Sequence, residues 1–96
     1  MRRTVLADQR SAKVTIVNRL GLHARPAMSF VDTAAAYHSS VKVRKDDTEV
    51  DGKSIMEMMM LAATNGTELE LTVEGDDAEA CLSELVRLVQ RGFDEE

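Results

Sequence analysis

Ninety-six residues, 44% of them hydrophobic, suffice for one compact core and leave no room for two. Aromatic residues make up only 3%, so the interior has to be filled by aliphatic side chains and methionine. A formal charge of −5 argues against a nucleic-acid surface, which would show a basic patch, and Arg2, Arg3 and Arg10 do not make one. The single cysteine, Cys81, excludes an internal disulfide and a thiolate metal cluster; it fits a reducing compartment and reads as a small core residue of the last helix.

Residues 1–11 read as a mobile polar extension, with residues 12–93 as the domain and 94–96 as an acidic tail. The apolar run Thr4-Val5-Leu6-Ala7 is too short for a signal peptide or a membrane span, so a cytoplasmic protein is expected. The first strand is predicted over 13–17, where Val14, Ile16 and their neighbours alternate, and the first helix follows to about Tyr37. Its apolar face is Ala27, Met28, Phe30, Val31, Ala34 and Ala35. Strands over 41–45 and 48–50 flank a turn at Asp46-Asp47. A second helix is predicted over 54–63, stopping at Asn65-Gly66. The clearest strand covers 67–74, alternating Leu69, Leu71 and Val73 with Glu68, Glu70, Thr72 and Glu74. Asp76-Asp77-Ala78-Glu79 then forms a capping arrangement for a last helix whose inner face is Leu82, Leu85, Val86 and Val89, with Gly92 as its stop. The order is β-α-β-β-α-β-α, and strands with one apolar face need helices on that face, so the fold class is a two-layer α+β sandwich.

Gly21-Leu22-His23-Ala24-Arg25-Pro26 is the chemically loaded stretch. Pro26 has its φ preset and lacks an N–H that the first turn has no use for, which places His23 at or next to the N-cap and Arg25 in the first turn. A cation there opposes the helix dipole unless an anion comes to meet it. Gly21 can take a conformation that turns the loop sharply and holds the imidazole over the helix end. Backbone N–H groups, a guanidinium and a nucleophilic nitrogen converging on one point describe a seat for phosphate, or for a phosphoryl group carried covalently. The competing reading is an ordinary solvent-exposed loop histidine.

The second helix carries Ile55, Met56, Met58, Met59, Met60, Leu61 and Ala62 with Glu57 as almost its only polar residue. One stripe holds Ile55, Met58, Met59 and Ala62, a neighbouring one Met56, Met60 and Ala63; the spacing leaves open which faces the sheet. The outer stripe forms a flexible apolar patch suited to docking, the competing reading being a methionine-filled core. Ser54 and Glu57 match the capping box, in which each satisfies a backbone donor of the other. A phosphate on Ser54 would gain from the helix dipole and be repelled by Glu57. Gly52-Lys53-Ser54 ends like a phosphate-binding loop, but position 47 is Asp where that motif needs glycine, which excludes a nucleotide site.

Gly21-Leu22-His23-Ala24-Arg25-Pro26-Ala27, then Gly52-Lys53-Ser54-Ile55-Met56, then Asn65-Gly66-Thr67-Glu68-Leu69 closely resemble HPr, the phosphocarrier family of the bacterial phosphoenolpyruvate-dependent phosphotransferase system. The resemblance spans about residues 13–93 and implies an open-faced sandwich of a four-stranded antiparallel sheet and three helices. It implies that His23 accepts a phosphoryl group on Nδ1 from phosphorylated enzyme I and passes it to a sugar-specific enzyme IIA, with Arg25 pairing with the phosphoryl oxygens. It also implies that Ser54 is the serine modified in many relatives by an HPr kinase/phosphorylase, and that Ile55, Met56 and Met59 form the docking surface. No cofactor or metal, no nucleic acid, no membrane insertion and a monomeric state are expected. Two rival functions stand beside the carrier. One is an HPr-like regulatory phosphoprotein that imports no sugar; the other is a stand-alone enzyme, which the absence of a second acid/base beside His23 disfavours.

Overall fold

The computed structural model describes residues 8–95. Strand β1 is Gln9–Thr15, helix α1 Ala24–Ala35, β2 Ser40–Lys45, β3 Thr48–Asp51, α2 Ile55–Met60, β4 Glu68–Glu74 and α3 Ala78–Gln90, followed by a short 3-10 turn over Gly92–Asp94. The four strands form one antiparallel sheet in the order β1-β4-β2-β3. This is the two-layer α+β architecture expected from the element order, with three helices over one face.

The alternation of the strands decides which face is covered. Val14, Val41, Val43, Val50, Leu69, Leu71 and Val73 point inward and meet Phe30, Ala34, Met58, Cys81, Leu85 and Val89 from the helices in one core. Intervening residues such as Lys13, Lys42 and Arg44 stay exposed on the open face. Two-thirds of the apolar face predicted for α1 is turned as expected: Ala27, Phe30 and Ala34 are buried and Val31 packs partly, whereas Met28 and Ala35 are exposed. Leu85 and Val89 of α3 are buried and Leu82 and Val86 half-buried, and Cys81 lies in the core as expected. Among the described residues, no helix is long and apolar enough to cross a membrane.

Several boundaries differ from the sequence reading, each for a tertiary reason. Strand β1 begins at Gln9, because Gln9, Arg10 and Ser11 pair with Glu74, Val73 and Thr72 of β4; that part of the expected extension belongs to the sheet. Residues 1–7 of the extension lie outside the described residues. Helix α1 ends at Ala35, two residues early, where the Lys53 ammonium donates to the Tyr37 carbonyl at 2.8 Å just beyond the helix. Helix α2 stops at Met60, not near Ala63. There the chain leaves the helix so that Leu61 and Ala63 both enter the core, Ala62 turns left-handed at φ 50°, and the Ala63 carbonyl accepts from the Leu22 N–H at 2.8 Å.

The predicted caps are also rearranged. Ser54 Oγ accepts from the Glu57 N–H at 3.2 Å, but the Glu57 carboxylate reaches back to the Asp51 N–H at 2.8 Å, so only half of the capping box forms. Asp77 occupies the N-cap position of α3 without capping it. Its carboxylate accepts from the His38 and Ser39 N–H groups at 2.8 and 3.0 Å and from the Ser39 hydroxyl, tying α3 to the start of β2. The Ser39 hydroxyl and the His38 N–H outweigh desolvation and pull the Asp77 pKa down to about 2.

Candidate functional site

The site is built where β1 leaves the sheet. Ile16 continues the strand direction, donating its N–H to the Thr67 carbonyl at 2.9 Å and accepting from Gly66 at 2.7 Å. Asn65 Nδ2 then holds the Val17 and Asn18 carbonyls at 3.1 and 3.2 Å. Gly21 sits at φ 73°, and a Cβ on it would lie 2.6 Å from the Ala63 carbonyl oxygen and 2.9 Å from Thr64 Cα. Only glycine fits this close backbone crossing. Leu22 is buried beside it, which pins the loop and delivers His23 to the N-cap of α1 in extended conformation, φ −82° and ψ −168°.

The His23 carbonyl accepts the first intrahelical bond from the Ala27 N–H at 2.9 Å. No side chain caps α1, so the N–H groups of Ala24 and Arg25 are left for an incoming anion. No acidic side chain lies in the first turn either. Arg25 is exposed and makes no ion pair among the described residues; it shares a surface pocket with Arg19, Leu20, Asp94 and Glu95. His23 and Arg25 therefore both stand at the start of α1, one at the N-cap and one in the first turn.

The residues that reading missed come from the opposite end of the chain. Gly92, at φ 66°, stops α3, and Phe93 is buried at 6% exposure, which folds the chain back over the site. Glu95, taken from sequence as part of an acidic tail, places its carboxylate 3.0 and 3.2 Å from Nε2 of His23. Asn18 Nδ2 donates to the same carboxylate at 3.0 Å and to the Gly21 carbonyl at 2.7 Å. Burial would raise the Glu95 pKa, but the hydrogen bonds from His23 and Asn18 and the nearby Arg25 charge outweigh it and hold the carboxyl below its ordinary value. Buried Phe93 behind a glycine stop was the available signal; nothing local marked Asn18.

The other predicted residues form a separate surface. Ser54 caps α2, which packs beside α1. Met58 faces the core with Leu61, and Ile55 is half-buried against it, so Ile55 contributes only partly to any docking face. Met56, Met59 and Met60 are exposed, at 76%, 42% and 72%. Of the two stripes left open by the spacing, neither is wholly inside: the inward line is Ile55, Met58 and Leu61. His38 lies with Asp76 and Asp77, but both Asp77 oxygens already accept hydrogen bonds from the start of β2, so this cluster serves as an anchor for α3.

Comparison with known proteins agrees with this geometry. The family described as the PTS HPr component phosphorylation site matches residues 10–91. The chain is 50% identical over 84 residues to the phosphocarrier protein HPr of Pseudomonas aeruginosa, covering 86% of this chain and 93% of that one. Its structure resembles the crystal structure of HPr-C-His from Thermoanaerobacter tengcongensis, with a TM-score of 0.87, 42% identity and coverage of 91% of this chain and 98% of that one. It also resembles the solution structure of Crh, the Bacillus subtilis catabolite repression HPr, with a TM-score of 0.65, 39% identity and coverage of 91% and 100%. Matched over nearly its whole domain and half identical to a curated member, the chain belongs to the HPr family of phosphotransferase-system phosphocarriers.

Proposed function

We propose that His23 accepts a phosphoryl group from phosphorylated enzyme I and passes it to sugar-specific enzyme IIA components, with the chain acting as a cytoplasmic monomer. The observation that carries this reading is the uncapped start of α1, with His23 at the N-cap and, in the first turn, an exposed Arg25 that makes no ion pair among the described residues. A carrier has to hold its phosphate and also release it, so permanent tight pairing would defeat it. His23 is the covalent nucleophile, Arg25 the electrostatic clamp, and the N–H groups of Ala24 and Arg25 the anion seat; the partners supply in-line geometry at each transfer. Met56, Met59 and part of Ile55 form the apolar docking surface, and Ser54 is a secondary acceptor for an HPr kinase/phosphorylase. The likeness to Crh favours a second reading, a regulatory phosphoprotein that imports no sugar.

Incubation with phosphoenolpyruvate and enzyme I, followed by intact-mass spectrometry and phosphorus NMR, tests the carrier. One acid-labile phosphate with a phosphohistidine shift, lost in His23→Ala, is expected. An unphosphorylated chain after incubation with the enzyme I of its own organism refutes the carrier and favours the regulatory alternative.

A further inference from the structure

We propose that Glu95 is a positioning residue that keeps the proton of His23 on Nε2, presents Nδ1 as the phosphoryl acceptor, and faces the positive charge that the ring takes up. This inference rests on the carrier reading of His23. Both Glu95 oxygens lie within hydrogen-bond distance of Nε2, at 3.0 and 3.2 Å, while Nδ1 has no hydrogen-bond partner among the described residues. A carboxylate only accepts, so Nε2 has to be the protonated nitrogen, and in the neutral ring Nδ1 then carries the lone pair. The His23 and Asn18 hydrogen bonds favour the ionised carboxylate, as does the charge of Arg25.

The surrounding chain is built to hold this contact. Asn18 is 3% exposed, and its amide bridges the Glu95 carboxylate to the Gly21 carbonyl, so one buried side chain joins the C-terminal turn to the loop that carries His23. Phe93 and Asp94 both stand in the left-handed region, at φ 57° and 62°, a conformation that residues with a Cβ avoid. Burial of Phe93, the Arg91–Asp94 ion pair at 2.9 Å and the Glu95 N–H bond to the Gly92 carbonyl at 3.0 Å keep the turn closed. The Glu95 side chain is itself only 18% exposed.

In the transfer, the Nδ1 lone pair attacks the phosphorus of a protonated phosphoimidazole on the donor protein. The Nδ1–P bond forms as the donor's N–P bond breaks, and that bond pair stays with the donor ring. The donor ring leaves neutral; the His23 ring becomes a phosphoimidazolium that retains its Nε2–H against the Glu95 carboxylate. No proton has to cross between the proteins. Passing the phosphoryl group onward reverses the charge change on His23.

The test is nitrogen-15 NMR of the neutral His23 ring in the unphosphorylated protein at alkaline pH, together with single-turnover transfer from phosphorylated enzyme I. The wild type is expected to show a protonated Nε2 and an unprotonated Nδ1. In Glu95→Ala the two resonances converge as both tautomers populate, and transfer slows by at least about tenfold through lost orientation. Glu95→Gln keeps the shape and one acceptor oxygen, and is expected to fall between the two. Ring-nitrogen shifts in folded Glu95→Ala that match the wild type, or transfer within about twofold of it, overturn the proposal. A wild-type chain that takes no phosphate defeats the carrier reading instead, because the ring-nitrogen readout does not depend on phosphorylation.

Discussion

Replacing Gly21 by alanine separates two contributions that usually come mixed. Gly21 and Gly66 both lie at positive φ, 73° and 92°, but a Cβ on Gly66 meets nothing within 4 Å, whereas one on Gly21 falls 2.6 Å from the Ala63 carbonyl oxygen. Gly66→Ala therefore carries only the left-handed strain, about 1–2 kcal/mol. Gly21→Ala adds a clash with backbone that cannot rotate away, a further 1–3 kcal/mol or so by analogy with overpacking. For a domain of this size each kcal/mol moves Tm by roughly 4–8 °C, so Gly66→Ala should lower Tm by about 4–16 °C and Gly21→Ala by about 8–40 °C. Relief of the clash also separates Leu22 from Ala63, whose 2.8 Å hydrogen bond fixes the approach to His23, so Gly21→Ala should lose phosphoryl acceptance even at temperatures where it is folded. Thermal unfolding by circular dichroism and phosphorylation at low temperature read both effects. Equal destabilisation by the two substitutions would refute the argument, since it would mean that the crossing of the loop over Ala63 imposes no steric demand.

Arg25→Ala should leave stability within about 0.5 kcal/mol, or raise it slightly by removing a cation from a helix start, while slowing phosphoryl transfer on the order of a hundredfold; urea titration and single-turnover assays measure the two. Leu85, fully buried in α3, should cost about 2–5 kcal/mol on truncation to alanine, seen as a lower urea midpoint with an unchanged slope. Ser54→Ala should cost about 1 kcal/mol through loss of the bond from the Glu57 N–H, measured in the same titration. The Asp77 carboxyl is depressed from 3.8 to about 2, so the unfolded chain binds the extra proton and the stabilisation is complete above about pH 4. It is lost as pH falls from about 4 to about 2, and the stability difference between the wild type and Asp77→Asn should shrink over that window. A difference that stays constant down to pH 2 contradicts the assignment.

Local rules sufficed wherever a residue's role was set by its neighbours in sequence. Pro26 fixed the register of α1 and with it the N-cap position of His23, and the alternation of Leu69, Leu71 and Val73 identified β4. The same rules failed where a distant partner decides. Nothing near Ala63 announces that its carbonyl is taken by Leu22, which is why α2 ends three residues early. Gln9 and Arg10 look like an extension because their strand pairing lies in β4. Asp77 stands where a cap belongs, yet its carboxylate serves His38 and Ser39. Glu95 reads as a solvated tail until Phe93 is seen to be buried.

The pairing of β1 with β4 has a kinetic consequence. The two are the first and last strands of the chain, far apart in sequence, and the loop after β1 is stitched to the residues before β4 through Ile16, Leu22, Ala63, Gly66 and Thr67. Closure of such distant segments pays its entropy before any contact rewards it, so these bonds form late and together. Hydrogen exchange at the Ile16, Leu22 and Gly66 amides should then follow global unfolding, not local fraying. A folding intermediate with α1 already helical would still lack the proposed phosphoryl seat, because the loop that aims His23 becomes ordered only when the last strand enters the sheet.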